Sequence, residues 1–278
     1  MNIAVSSGKG GTGKTLVSTS LALSYTGSTY IDMDVEEPNG AIFINPEIQK
    51  TIRFTVPIPE FNENTCTFCG KCAEACVYNA ISVIPQAKKI LFFNELCHNC
   101  GVCKFVCPVQ GTIVEKPKSI GTINIGNSNH FIEGILDIGI PSAVPLISGM
   151  KKYFSGKGIT IIDSPPGTSC PVVETVKDSD FVILVTEPTP FGLNDLELAL
   201  EVIRDLGKRH GIVVNKHDKN NTSARKFAEK RGVKILLEIP FSRKIAEGYS
   251  QGIPLINSKP EYRDIFKKLI EKISAGTV

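Results

Sequence analysis

Long apolar runs are missing from this 278-residue chain. None reaches the roughly 18 residues that a membrane-crossing helix needs, so no such helix is expected. An excess of one charge is missing too. The 31 Lys and Arg stand against 28 Asp and Glu, a formal +3, which is too balanced for a nucleic-acid-binding coat or an acidic tail. No leader is expected, because Met1 runs straight into the apolar Ile3-Ala4-Val5, and a soluble, cytoplasmic protein is expected. A hydrophobic content of 42% is enough for one large domain or two modest ones.

The informative stretch is Gly8-Lys9-Gly10-Gly11-Thr12-Gly13-Lys14-Thr15. The apolar run before it reads as a buried parallel strand, and Leu16 to Leu23 after it reads as a helix. Strand, glycine-rich loop and helix are the context a P-loop requires. Its glycines let backbone N–H groups and a helix N-terminus converge on a phosphate chain. Lys14 then reaches the β- and γ-phosphates, and the Thr15 hydroxyl takes a place on Mg²⁺.

Two further apolar runs end in acids: Thr29-Tyr30-Ile31-Asp32-Met33-Asp34 and Gly158-Ile159-Thr160-Ile161-Ile162-Asp163. Sites of parallel sheets collect at the carboxyl ends of strands, which would set these carboxylates beside the P-loop, although an acid can also merely cap a strand end. Further buried strands are expected over 181–186, 211–215 and 233–237, with helices between them. Segments 120–125 and 130–138 alternate as half-exposed strands.

Nine cysteines in a chain with an ATPase motif point to metal rather than disulfides. Eight of them form Cys66-x2-Cys69-x2-Cys72-x3-Cys76 and Cys97-x2-Cys100-x2-Cys103-x3-Cys107-Pro108, one motif repeated after 31 residues. A zinc site normally takes two pairs, and a three-gap run used twice fits two tetrahedra less naturally. The spacing is that of bacterial two-cluster ferredoxins, in which each motif lends its fourth thiolate to the other's cluster. That resemblance implies one 4Fe-4S cluster on Cys66, Cys69, Cys72 and Cys107, and a second on Cys76, Cys97, Cys100 and Cys103. Residues 80–84 and 89–93 would pair as a small hairpin, and Pro57-Ile58-Pro59 reads as an extended linker leading into the module. Val77 replaces the proline that many ferredoxins carry, and His98 is expected as an exposed loop side chain.

Lys9 narrows the class, because an ordinary P-loop tolerates almost any residue there. The octet resembles that of the deviant-Walker ATPases: the MinD and ParA positioning proteins, Mrp-type iron-sulfur carriers and the nitrogenase iron protein. The resemblance implies a dimer enclosing two ATP molecules, with Lys9 acting on the partner's phosphates. It implies that Asp34 orients the attacking water and that Asp32 and Asp163 hold the magnesium shell. Gly167, in Asp163-Ser164-Pro165-Pro166-Gly167, would offer its N–H to the γ-phosphate, and Asn215 with Pro240 and Phe241 would flank the adenine. Cys170 is expected as a small buried hydrophobe in the next helix, the alternative being a transient metal or cluster contact that uses Cys170 of each subunit near the dimer axis. Residues 261–273 carry an apolar face beside Arg263, Lys267, Lys268 and Lys272, a pattern shared by a docking helix and by a membrane-binding one.

The expected fold is therefore an α/β, doubly wound, mainly parallel P-loop sheet over residues 1–59 and 118–278, with a small α+β ferredoxin-like dicluster domain inserted over 60–117. As a whole the chain resembles MinD-superfamily ATPases containing an inserted ferredoxin domain. That implies an Mg-dependent ATPase coupled to electron transfer or iron-sulfur cluster delivery, working as a homodimer or with a related ATPase on a protein acceptor. Nucleic acid and membrane are not expected partners. The alternative is a MinD-like positioning or regulatory factor whose clusters sense or staple.

Overall fold

The computed structural model describes residues 1–127, 130–154 and 158–278. Chain order begins with β1 (Asn2–Ser6), α1 (Lys14–Ser24), β2 (Thr29–Asp32), α2 (Gly40–Ile44) and β3 (Ile48–Phe61). The cysteine-rich stretch holds α3 (Lys71–Glu74), β4 (Ile81–Ile84), β5 (Lys89–Phe92) and α4 (Val102–Phe105). There follow β6 (Ile113–Gly126), β7 (Phe131–Leu136), α5 (Val144–Met150), β8 (Thr160–Asp163), α6 (Cys170–Val176), β9 (Phe181–Thr186) and α7 (Pro190–Asp205). The chain closes with β10 (His210–His217), α8 (Ser223–Arg231), β11 (Ile235–Pro240), α9 (Arg243–Ser250), α10 (Leu255–Ser258) and α11 (Glu261–Ser274).

Nine strands form one sheet in the order β11-β10-β9-β1-β8-β2-β7-β6-β3. From β11 to β7 every neighbouring pair is parallel. The reason lies in the side chains: β1, β8 and β9 are apolar runs buried on both faces, which only a sheet covered by helices can bury. The remaining strands turn back. Asn124 meets Glu133 and Ile120 meets Asp137 across β6 and β7, while Thr51 meets Asn124 and Arg53 meets Thr122 across β3 and β6, so both pairs run antiparallel.

Three strand expectations change. The half-exposed strand expected over 130–138 is β7, mostly buried and interior to the sheet, because β6 and β3 lie beyond it. Pro57-Ile58-Pro59 is no linker but the second half of the 14-residue β3, and an edge strand can carry proline because one row of its backbone groups has no ladder partner. The strand expected at 233–237 runs instead from Ile235 to Pro240.

The chain divides into two compact units. The first holds Met1–Ile52, Ile123–Ile135 and Ile147–Val278; the second holds Arg53–Thr122 and Leu136–Leu146. In the first unit α1 is buried almost throughout, and its Leu16, Val17 and Leu21 share a core with Tyr262, Phe266, Leu269, Ile270 and Ile273 of α11. Burying each such side chain contributes about 1.5–3 kcal/mol. The apolar face of α11 is therefore spent on the core, with Ile265 left exposed beside Arg263, Lys267, Lys268 and Lys272. Among the described residues no helix is long and apolar enough to cross a membrane.

In the second unit the repeat is written into the backbone. Phe68 and Asn99 hold φ of 54° and 58°, and Gly70 and Gly101 hold 78° and 72°, each pair 31 residues apart. The four-residue helices α3 and α4 keep the same offset. β4 and β5 pair antiparallel, Ile81 opposite Phe92, as the expected hairpin.

Candidate functional site

The P-loop follows β1 and enters α1 at Gly13, whose φ is 94°. Two of its glycines are required by crowding. A Cβ on Gly8 would lie 2.1 Å from the carbonyl oxygen of Asp195 in α7, and one on Gly13 would lie 2.2 Å from the side-chain nitrogen of Asn215.

Lys14 is buried, and its Nζ donates to Asp163 Oδ1 at 2.6 Å and to Asp34 Oδ2 at 3.2 Å. Burial opposes its charge, but Asp163, Asp34 and Asp32 outweigh that and hold the ammonium well above the usual lysine range. Asp32 is wholly buried, with Oδ1 accepting the N–H of Asp34 at 3.1 Å and Oδ2 that of Gly40 at 2.9 Å. Burial and nearby Asp163 push its carboxyl well up, against Lys14. Asp34 is also raised, by burial in the first place and despite Lys14. Three acids thus share one lysine. That stoichiometry leaves room for more positive charge, which a divalent cation beside the Thr15 hydroxyl would supply.

A cavity of 410 Å³ opens over this cluster. Lys9, Gly10, Gly11, Gly13, Lys14, Thr15 and Asp34 line it, together with Asn215, Pro240 and Phe241. Thr12 Oγ1, within the P-loop, is buried with no hydrogen-bond partner among the described residues, as a group awaiting a ligand oxygen would be. Asn215 donates to the Thr12 carbonyl at 2.8 Å, tying β10 to the P-loop. Lys9 is half-buried, and among the described residues nothing pairs with its ammonium. Gly167, expected to face a phosphate, donates its N–H to the Ser7 carbonyl at 2.8 Å. Cys170 is exposed at the start of α6 rather than buried, because the helix turns its buried face through Val172, Thr175 and Val176.

Sequence reasoning missed two tyrosines. Tyr30 Oη donates to Asp163 Oδ2 at 3.0 Å from beneath Gly40, where a Cβ would lie 2.2 Å from that hydroxyl. Tyr249 of α9 lines the cavity and stacks on Phe43 of α2, ring centroids 4.7 Å apart. Tyr30 reads as one more residue of an apolar strand, and nothing local to Tyr249 marks it. Lys216, also unflagged, lines the same cavity, as do Glu37 and Asn39 from the segment that follows Asp34.

In the second unit Cys66, Cys69, Cys72 and Cys107 line one narrow cavity together with Pro108, so three cysteines of the first motif meet the last of the second. Burial raises the Cys97 thiol, and the sulfurs near enough to add to that include Cys100 and, from the first motif, Cys76. Burial pushes Cys103 up to about 11, whereas the Lys71 N–H holds the exposed Cys69 below the usual thiol range. Both groupings match the donor chemistry of a thiolate-held cluster. Among the described residues no three Cys, His, Asp or Glu converge on a single ion. His98 is half-buried rather than exposed, because its ring stacks on Tyr78 with centroids 3.7 Å apart.

A strand-loop-helix with a buried lysine, acids at the carboxyl ends of β2 and β8, and a parallel sheet around β1 define a P-loop nucleotide-binding α/β protein. Residues 3–255 match the CobQ/CobB/MinD/ParA nucleotide binding domain, and the chain belongs to that family of P-loop ATPases. An uncharacterized protein of Methanocaldococcus jannaschii is 32% identical over 98% of this chain and 96% of its own length. The chain is 24% identical to the iron-sulfur cluster carrier protein of Pyrococcus abyssi, across 98% of its own length and 86% of the carrier's. Its fold is similar to that of the septum site-determining protein MinD of Pyrococcus horikoshii, solved with Mg-ADP, at a TM-score of 0.57 and 21% identity over 98% and 95% of the two chains.

Proposed function

We propose that this protein is an iron-sulfur P-loop ATPase, in which Mg-dependent ATP binding and hydrolysis govern the passage of electrons or an iron-sulfur cluster to a partner protein. Residues 1–59 and 118–278 act as the ATPase domain, and 60–117 as an inserted ferredoxin-like domain. The observation that carries the reading is the crossed grouping of Cys66, Cys69, Cys72 and Cys107 around one cavity. Similarity to iron-sulfur cluster carriers supports it.

The residues supply the nucleotide chemistry as follows. An arriving triphosphate competes with Asp163 and Asp34 for the Lys14 ammonium, and the exchange frees both carboxylates. Asp163 and Thr15 would hold magnesium, with Asp32 behind them keeping the Asp34 and Gly40 N–H groups in place. Asp34 aligns the attacking water, which is enough because phosphoryl transfer is mainly positioning and electrostatics. Lys9, whose ammonium has no partner among the described residues, stabilises charge on the phosphates of a second subunit, either a second copy of this chain or a related ATPase. Magnesium would neutralise developing charge, and 4Fe-4S clusters on the two crossed cysteine sets would supply one-electron exchange.

A redox titration of anaerobically reconstituted protein tests the coupling. ATP is expected to shift the cluster potentials. Unchanged potentials, together with nucleotide-dependent binding of a partner, would instead support a MinD-like regulator whose clusters only sense or staple.

A further inference from the structure

Asp163 closes β8 with its side chain wholly buried, and one neighbour serves each of its oxygens. Oδ1 accepts from the Lys14 ammonium at 2.6 Å, and Oδ2 accepts from the Tyr30 hydroxyl at 3.0 Å. Among the described residues no other side chain bonds to either oxygen. The two partners differ in permanence. Lys14 lines the nucleotide cavity, where an arriving triphosphate draws its ammonium away. Tyr30 is not among the lining residues; it is 1% exposed in β2, and its ring stacks on Phe131 of β7 with centroids 5.9 Å apart. A phenol keeps its proton at neutral pH, so this hydroxyl donates to the carboxylate throughout. Once Lys14 turns to phosphate, Tyr30 is the one side chain among the described residues left on Asp163.

The backbone makes room for that hydroxyl. Gly40 opens α2, and a Cβ there would lie 2.2 Å from Tyr30 Oη and 2.6 Å from the ring carbon that bears it. Its φ is not positive, so backbone conformation does not demand glycine at this position. The close approach of Tyr30 does. Nor can Gly40 readily step aside, because Asp32 Oδ2 holds its N–H at 2.9 Å.

We propose that Tyr30 is a positioning residue for the magnesium site, its hydroxyl fixing Asp163 Oδ2 so that Oδ1 is left in place for the magnesium shell when nucleotide binds. The inference rests on the nucleotide reading of the cavity. It assigns Gly40 as the residue whose missing side chain admits the hydroxyl. Partners that orient a metal-serving carboxylate from behind act on metal affinity without touching the metal.

The test is binding of a fluorescent ATP analogue to the full chain, titrated with magnesium at fixed nucleotide and repeated in EDTA. Tyr30→Phe keeps the ring against Phe131 and removes only the hydroxyl. It should raise the magnesium concentration for half-maximal tight binding by about tenfold, while affinity in EDTA stays at the parent's. Gly40→Ala should reproduce that shift by crowding the hydroxyl off Asp163, and if it fails to fold, Tyr30→Phe decides alone. An unchanged magnesium dependence in Tyr30→Phe, with only a lower melting temperature, would make Tyr30 a core residue and overturn the proposal. Equal losses of affinity with magnesium and in EDTA would overturn it as well, as damage to the whole site. A parent that binds no nucleotide, or binds it without regard to magnesium, would instead bring down the nucleotide reading, and the positioning role with it.

Discussion

The two units stabilise their polar groups in opposite ways. In the first, the buried charges satisfy one another: Lys14 with Asp163 and Asp34, Tyr30 with Asp163, Asp32 with two backbone N–H groups. They lie beneath a core that runs from Ile3 and Val5 of the sheet to Phe266 and Ile270 of α11. In the second, the buried cluster consists of Cys76, Ala80, Ile81, Cys103 and Ile113, so two of its five members are thiols. So small a core would lean on the proposed clusters, because metal ligation becomes folding free energy where no other core suffices. The contrast teaches that the nucleotide site should survive without ligand, whereas the cysteine unit should depend on it.

The largest expected effect comes from removing Lys14. Lys14→Ala should abolish nucleotide binding, or lower hydrolysis by at least about 10²–10³-fold, while leaving Asp163, Asp34 and Asp32 without their shared lysine. Isothermal titration with ATP checks this, and binding at parental affinity would show that the salt-bridged cluster is structural only. Lys9→Ala should instead spare much of the binding and mainly lower turnover and ATP-dependent dimerisation, read by sedimentation.

Cys76→Ser sharpens the comparison from the other side. Reconstituted parent should hold about eight iron atoms and the variant about four, with the loss falling on the cluster of Cys97, Cys100 and Cys103. The second unit should then unfold at a lower temperature while ATP binding is kept. Loss of the cluster that uses Cys66, Cys69 and Cys72 would refute the crossed assignment.

Asp34→Asn gives the smallest effect on stability and the most specific one. Its carboxyl is raised in the folded protein, net of the attraction of Lys14, so the folded chain holds a proton that the unfolded chain releases near 3.8. Stability therefore falls as pH climbs from 3.8 through the raised folded value, and it stays lowered above that. The variant should resist urea better than the parent at neutral pH and equally below pH 3.8, while hydrolysing ATP about 10²-fold more slowly. Equal urea midpoints at neutral pH would show that Asp34 carries no such penalty.

Legibility followed the scale of the cause. The P-loop, the two acid-ended strands and the cysteine repeat are local patterns, and each was readable because neighbouring residues dictate the backbone. What depends on distant packing was not. β7 looked half-exposed because the sequence does not say that β6 and β3 lie beyond it. Pro57 and Pro59 looked like a linker because edge position is a property of the sheet. Tyr30 and Tyr249 touch the site only through elements brought together by folding. Cys170 was misplaced because the phase of a seven-residue helix cannot be read without knowing which face it buries.

The bond from the Gly167 N–H to the Ser7 carbonyl makes one proton of the chain a timekeeper. While that bond stands, the proton exchanges slowly with solvent deuterons, and a phosphate oxygen drawing the N–H to itself must first release it. The exchange rate of this single amide therefore registers how often the loop after β8 lets go of the Ser7 carbonyl, with no dye, no partner and no turnover required.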